Sequence, residues 1–138
     1  MLGWTADGRV LAATHAGEAK LRHLVVKAVA LDGTVERLDL GPASGVAITG
    51  DGTVALSTPG SRPPAQWKRY PGGTASRLWL RRSGSWEQLL VDEPAGLVDP
   101  MRLGDRLAFV SDRAARFPDR AEEQANLWLW DTRSRSTR

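Results

Sequence analysis

A short pattern that occurs three times along the 138-residue chain sets the strongest limit on its fold. Each copy has a glycine-containing turn, a few mostly apolar residues and a second polar stretch. The copies are "TADGRVLAATHA" from Thr5, "ITGDGTVALSTP" from Ile48 and "MRLGDRLAFVSD" from Met101. They follow one another at intervals of roughly 40 to 50 residues, which is the usual length of a four-stranded propeller blade. The repeat therefore predicts one blade-like unit for each copy.

Hairpin signals continue the first two units. In the first unit, the strand-like segments 23–31 and 35–41 are separated by Asp32-Gly33-Thr34, where glycine can supply the positive φ of a tight turn. In the second unit, "RLWLRR" and "WEQLLVD" are separated by Ser83-Gly84-Ser85. In the third unit, "NLWLWDT" leads into "RSRSTR", and no partner strand is predicted after it.

These signals predict an all-β fold: a partial β-propeller of about three four-stranded antiparallel blades, with the last blade truncated. One domain covers 1–138, and its blade-like units lie at roughly 1–43, 44–95 and 96–138. Helical periodicity is absent over any useful length, apart from a short turn in "DRAEEQAN".

The alternation in "NLWLWD" supports stacked sheets. Leu127 and Leu129 point to one face of the strand, and Trp128 and Trp130 point to the other. Two large apolar faces both need cover, which a neighbouring blade supplies and a one-sided antiparallel sheet does not. Because three blades cannot close into a ring, the first and last sheets would each leave one apolar face uncovered, and we expect Trp128 or Trp130 on the exposed one. A β-sandwich core is the rival geometry.

The composition limits the partners of the chain. It has no cysteine, which removes disulfides, thiol nucleophiles and thiolate metal sites. The 19 Lys and Arg residues against 16 Asp and Glu give a formal net charge of +3, without the concentrated basic stripe that nucleic-acid binding usually needs. No apolar run approaches the roughly 20 residues that span a bilayer, and no signal peptide is visible. We therefore expect a cytoplasmic protein that binds neither nucleic acid nor membrane.

No catalytic site is predicted for this chain. "GPASG" places Ser44 directly before Gly45, which is the wrong frame for a G-x-S-x-G nucleophile elbow. His15 and His23 are the only histidines, and a surface or packing role suits them better than metal binding, which needs several converging donors. We therefore expect no metal, no cofactor and no peptide hydrolysis by the chain itself.

The connection at 57–76 is long for a loop within one blade, and loops of this length are often functional. Its "YPGGTAS" segment is not a phosphate-binding loop, because no lysine follows the last glycine and a strand follows instead of a helix. Trp67, Lys68, Arg69 and Tyr70 are the candidates for a peptide path, through stacking and cation–π contacts. The alternative is that Trp67 and Tyr70 anchor the loop to a neighbouring blade.

A family resemblance rests on four segments that occur in order. They are "LDLGPAS" from Leu38, "DGTV" from Asp51, "WKRYPGGTASRLWL" from Trp67 and "VDPMRLGDRLAFVSD" from Val98. Together they resemble the N-terminal six-bladed propeller of tricorn proteases over nearly the whole chain. The stretch from Trp67 is the most specific part, whereas many six-bladed propellers share the last one.

The resemblance implies a role in peptide handling. Tricorn-like proteins are large cytoplasmic serine peptidases that assemble as hexamers, and their propellers are thought to filter or channel oligopeptides. Catalysis belongs to a separate region, and none of its residues has a matching position here. The implied partners are oligopeptides, together with the remaining blades or a second copy of the chain. Two alternatives stay open at this point: the propeller of a prolyl-oligopeptidase-like hydrolase, and a non-enzymatic, protein-binding scaffold of the TolB type.

Overall fold

A computed structural model describes residues 2–21, 23–49, 51–60, 75–104, 106–111, 113, 126–131 and 134–137. These residues form three four-stranded antiparallel sheets, and no helix occurs among them. The first sheet contains β1 (Gly3–Trp4), β2 (Val10–Thr14), β3 (Val25–Val29) and β4 (Val35–Arg37). The second contains β5 (Gly45–Ile48), β6 (Val54–Ser57), β7 (Leu78–Arg82) and β8 (Ser85–Leu89). The third contains β9 (Leu97–Leu103), β10 (Arg106–Ser111), β11 (Asn126–Asp131) and β12 (Ser136–Thr137).

The order of the strands confirms the predicted partial propeller. In every sheet the strands pair with their sequence neighbours, from the first strand at one edge to the fourth at the other. The first strands of successive sheets approach one another, β1 against β5 and β5 against β9. The sheets therefore fan out from a shared edge, as the blades of a propeller do around its axis. The unit boundaries 1–43, 44–95 and 96–138 stay a prediction.

The last blade is more complete than the sequence analysis expects. Thr137 of β12 pairs with Trp130, and Ser136 pairs with Asp131, so "RSRSTR" contains a fourth strand. The expectation that the third blade ends before a partner strand appears is wrong. A two-residue strand carries almost no apolar pattern, and the period-two signal needs a longer run than this.

Both predicted hairpin turns are present. β7 and β8 are joined by Ser83 and Gly84, with φ values of 47° and 84°, and Arg82 pairs with Ser85 across the turn. A two-residue turn with positive φ at both central residues matches the right-handed twist of the strands, and glycine adopts that conformation without steric cost. At the other turn, Gly33 has a φ of 88°, also in the left-handed region.

The second sheet is buried on both faces. Its Val46, Val54 and Leu56 pack with Leu11 and Val26 of the first sheet. Ala55, Leu78 and Leu80 point to the opposite face and pack against the third sheet, where Leu107 and Phe109 complete the core. This alternation is the double burial that stacked blades require.

Trp79 is partly buried and packs against the first of these cores, although Arg81 shares its face of β7 and Arg77 lies directly before the strand. The two arginines lie near the ends of the strand. The Arg77 guanidinium donates to the backbone carbonyls of Glu93 and Ala95, and the Arg81 guanidinium lies 5.2 Å from the centre of the Trp86 ring. Their charged ends therefore leave the tryptophan free to pack between sheets.

The exposed face of the third sheet differs from the predicted one. Trp130 is only 8% exposed and packs in the core between the second and third sheets, with Trp128 against its edge. Leu127 is 63% exposed on the opposite face of β11. The expectation that Trp128 or Trp130 lies on the uncovered face is therefore wrong. The alternation within β11 is as predicted, but alternation alone does not tell which face meets the neighbouring sheet.

Gly45 marks a close approach of two blades. A Cβ atom at this position would lie 2.7 Å from Ser57 Oγ, 2.9 Å from Pro100 Cδ and 3.4 Å from Asp99 Cα. Asp99 and Pro100 belong to β9, whose register against β10 shifts at this point, and Asp99 has a φ of 49°. The irregular strand therefore brings its backbone against β5, and only glycine leaves room for it.

Replacing Gly45 by alanine should lower the free energy of unfolding by roughly 2 kcal/mol, because the added methyl overpacks the contact of β5 with Ser57 and with Pro100 of β9. Urea denaturation followed by tryptophan fluorescence measures the change. Adding Ser57→Ala to Gly45→Ala should recover part of the loss, since it removes the nearest clashing atom. A Gly45→Ala protein as stable as the wild type would contradict the close packing of the first strands.

Candidate functional site

The described residues form a cleft of about 340 Å³ between the second and third sheets. It opens where three hairpin connections come together: those between β5 and β6, β7 and β8, and β9 and β10. Its apolar wall is formed by Ala47, Ala55, Leu80 and Leu107, which continue the core between the two sheets. The cleft is therefore a gap between blades, with the interblade core as its floor.

Three arginines line the same cleft. Arg82 ends β7 on the face of Leu78 and Leu80, so its side chain follows the row that faces the third sheet. Arg102 pairs with Leu107 on the core-facing side of β9. Arg106 also lines the cleft, and its Nε lies 3.9 Å from the Asp131 carboxylate.

Asp51 carries the one carboxylate among the described residues that line the cleft. Asp51 Oδ1 lies 3.5 Å from the Arg102 Nη1 atom, and this ion pair joins the second sheet to the third. Arg82 has no ion-pair partner among the residues that the structure describes. Asp105, which precedes Arg106 in the sequence, lies outside the described residues. Among the described groups the cleft therefore carries an excess of positive charge, which is centred on Arg82.

The Asp51 carboxylate is held by its own turn. The Thr49 hydroxyl donates to it, and the Thr53 backbone N–H donates to its Oδ1 at 3.1 Å. These hydrogen bonds, the Thr49 hydroxyl above all, lower the pKa of Asp51 to about 2, with a smaller contribution from the charge of Arg102. The carboxylate is therefore ionised near neutral pH and holds Arg102 at the rim of the cleft.

A second charged cluster lies at the junction of the second and third sheets. Arg113 Nε lies 3.0 Å from Glu93 Oε2, and both side chains are largely buried. The Arg113 guanidinium also lies over the Trp128 ring, 4.6 Å from its centre. The Glu93 carbonyl accepts from Arg77. The two charged side chains pair with each other, so they stabilise the connection between the blades, whereas the buried Trp128 Nε1 has no hydrogen-bond partner among the described atoms.

The sequence-predicted peptide-path residues, Trp67, Lys68, Arg69 and Tyr70, lie outside the described residues, and their role stays a prediction. His15 and His23 lie in the connection between β2 and β3, and both are exposed. No group of three or more histidine, aspartate or glutamate side chains suited to a metal ion occurs in the described part of the chain. The same residues contain no helix long and apolar enough to cross a membrane.

Sequence reasoning did not find the arginine-lined cleft. Its residues come from three turns that lie far apart in the chain, and each arginine alone is typical of a solvated strand end. The available signal was the position of each arginine in its strand. Arg82 lies two residues after the buried Leu80 and Arg102 two residues after the buried Pro100, so each arginine shares a strand face with a buried residue. Only the stacking order of the sheets shows that these two faces meet.

Comparisons with known proteins agree with this architecture. The sequence model described as the tricorn protease N-terminal beta propeller domain matches residues 1–138. Tricorn protease homolog 1 of Streptomyces coelicolor is 48% identical over 113 residues, which cover 80% of this chain and 10% of that protein. Putative tricorn protease homolog 2 of the same organism is 45% identical over 60 residues, which cover 44% of this chain and 5% of that protein.

A crystal structure of the tricorn protease has the same fold. It superimposes with a TM-score of 0.78 and 24% identity, and the match covers 99% of this chain and 12% of the solved one. The chain thus spans about a tenth of the length of the relatives that it matches. Of the three propeller families considered from the sequence, the tricorn family is the one matched, and the chain belongs to the tricorn protease N-terminal β-propeller family.

Proposed function

We propose that this chain is the part of a tricorn-type serine peptidase that guides or filters oligopeptides and leaves their hydrolysis to another region. The observation that carries the proposal is the match to the N-terminal propeller family over 1–138, joined to three stacked four-stranded sheets. A peptidase active in the cytoplasm fits the sequence, and that location stays a prediction. The remaining blades of the propeller are the proposed partners of the two end sheets.

The geometry supports guiding rather than cutting. In a propeller the first strands of the blades surround a central channel, and the connections between strands form its mouths. Here β1, β5 and β9 lie at the shared edge of the sheets, which is the side that would face such a channel. An oligopeptide that passes along this edge meets backbone and loop side chains, which select by size and charge without breaking a bond.

The connection at 57–76 gives this proposal its test in the full-length protein. Replacing Arg69 and Tyr70 together by alanine should lower kcat/KM for long peptides several-fold and leave the shortest substrates unchanged, because only long peptides would need the path. Steady-state hydrolysis of a graded series of peptide lengths measures the effect. If the two residues are anchors instead, thermal stability falls and the length preference stays as it was.

A matched control is available on the outer edge of the second blade. Like Arg69 and Tyr70, Arg81 and Trp86 are one arginine and one aromatic residue. The Arg81 guanidinium lies over the Trp86 ring, and Trp86 lies on β8, the strand of its sheet farthest from β5. Replacing both by alanine should leave the length preference of the peptidase unchanged. An equal loss of activity on every peptide length from the Arg69 and Tyr70 variant, at unchanged stability, would contradict a guiding role.

A further inference from the structure

We propose that the cleft between the second and third sheets binds a carboxylate carried on an apolar body, as in an acidic oligopeptide. This inference deepens the proposed function and rests on it for the source of the ligand. Arg82 and Arg102 are the binding groups, and Asp51 is a positioning residue for Arg102.

The charge of the cleft determines the sign of the ligand. Arg102 is shared with Asp51 and Arg106 with Asp131, so each of these cations already has an anionic neighbour within the protein. Arg82 has none among the described residues and lines the same cleft. A guanidinium presents parallel N–H donors that match the two oxygens of a carboxylate, so a bound carboxylate would complete the set of charge pairs.

The ionised Asp51 limits how much negative charge the ligand carries. Its pKa of about 2 keeps a full negative charge close to Arg102 at neutral pH. Among the described groups, three arginines against Asp51 and Asp131 leave one net positive charge, which a single carboxylate neutralises and a compact dianion such as phosphate would exceed. The cleft therefore favours a monovalent acid.

The size and floor of the cleft determine the rest of the ligand. A volume of about 340 Å³ lies within the range of small-molecule sites and exceeds what one carboxylate needs. Leu80, Leu107 and the two alanines of the wall offer apolar contact beneath the charged rim. A glutamate flanked by leucines satisfies both parts, with its carboxylate at Arg82 and an aliphatic side chain against the wall.

Two sources can supply this carboxylate: an acidic side chain within a peptide, or the terminal carboxylate of one. Three probes separate them on the full-length protein. They are acetyl-Leu-Glu-Leu-amide, acetyl-Leu-Gln-Leu-amide and acetyl-Leu-Gln-Leu with a free terminal carboxylate. Isothermal titration calorimetry measures each Kd, and mass spectrometry after the titration shows that the peptide is intact.

We expect at least one of the two carboxylate peptides to bind about tenfold or more tightly than the neutral amide, which is a common effect of a charged hydrogen-bonded group. The Arg82→Gln variant should lose that difference and keep the weak affinity for the neutral peptide. The Arg81→Gln variant is the matched control, because it removes the same charge from the next residue of β7, on the opposite face. It should bind all three peptides as the wild type does.

Equal affinity for all three peptides, or no measurable binding of any, would overturn the inference. An equal loss of the affinity for carboxylate peptides in the Arg81→Gln and Arg82→Gln variants would also overturn it, since that result indicates only an effect of the overall positive charge of the surface. The proposed function is tested separately by the dependence of hydrolysis on peptide length. A cleft that fails these titrations leaves that dependence unaffected.

Discussion

Replacing Phe109 by alanine is expected to lower the free energy of unfolding by about 4 kcal/mol, the usual cost of deleting a buried aromatic ring. Phe109 lies in β10, is fully buried and packs in the core that joins the second sheet to the third. The change removes apolar contacts from both blades at once, so the cavity cannot be closed by a small shift of one sheet. Urea denaturation at one fixed protein concentration measures the loss.

The control for this prediction is Leu31→Ala, in the turn between β3 and β4. Leu31 is 88% exposed, so its truncation should change the stability by no more than about 0.5 kcal/mol. If Phe109→Ala cost as little as Leu31→Ala, the second and third sheets would not share a core. The stacked arrangement of the blades would then be wrong.

The sequence predicted the blades well because their signals are local. A glycine turn followed by a short apolar strand recurs three times, and each copy contains the turn before β2, β6 or β10 together with that strand. The turns at Gly33 and Gly84 could also be predicted from the sequence, since positive φ strongly favours glycine. The spacing of the strands and the residues of the turns can therefore be predicted without knowing how the neighbouring sheet packs.

Features that depend on the neighbouring sheet could not be predicted in this way. The face of β11 that is buried, and the exposure of Leu127 in place of Trp128, follow from the side on which the second sheet packs. The need for Gly45 follows from the position of Pro100 in a different blade. The cleft at Arg82 and Arg102 has the same origin, because its two walls belong to different sheets.

The 138-residue chain expressed by itself is expected to self-associate. The outer face of the third sheet exposes Met101, Leu103 and Leu127, and the outer face of the first exposes Trp4 and Val35. Large apolar surfaces of this kind mark places where another protein surface packs. Burying several hundred Å² at about 25 cal/mol per Å² contributes roughly 10 kcal/mol before the entropic cost of association.

A charged substitution distinguishes association through these faces from non-specific association. Leu127→Lys places a cation in the middle of the outer face of the third sheet and should shift the chain toward monomer. Leu31→Lys adds the same charge to an exposed turn away from that face and should leave the association unchanged. Equal behaviour of the two variants would mean that the outer face of the third sheet is not the contact.

Size-exclusion chromatography with light scattering on the isolated chain, at micromolar concentration, tests whether it is an open arc of a larger propeller. The expected result is a mass of at least two copies, with two chains completing a six-bladed arrangement, or larger aggregates. A stable monomer that melts cooperatively would contradict the open propeller and indicate a closed sandwich instead.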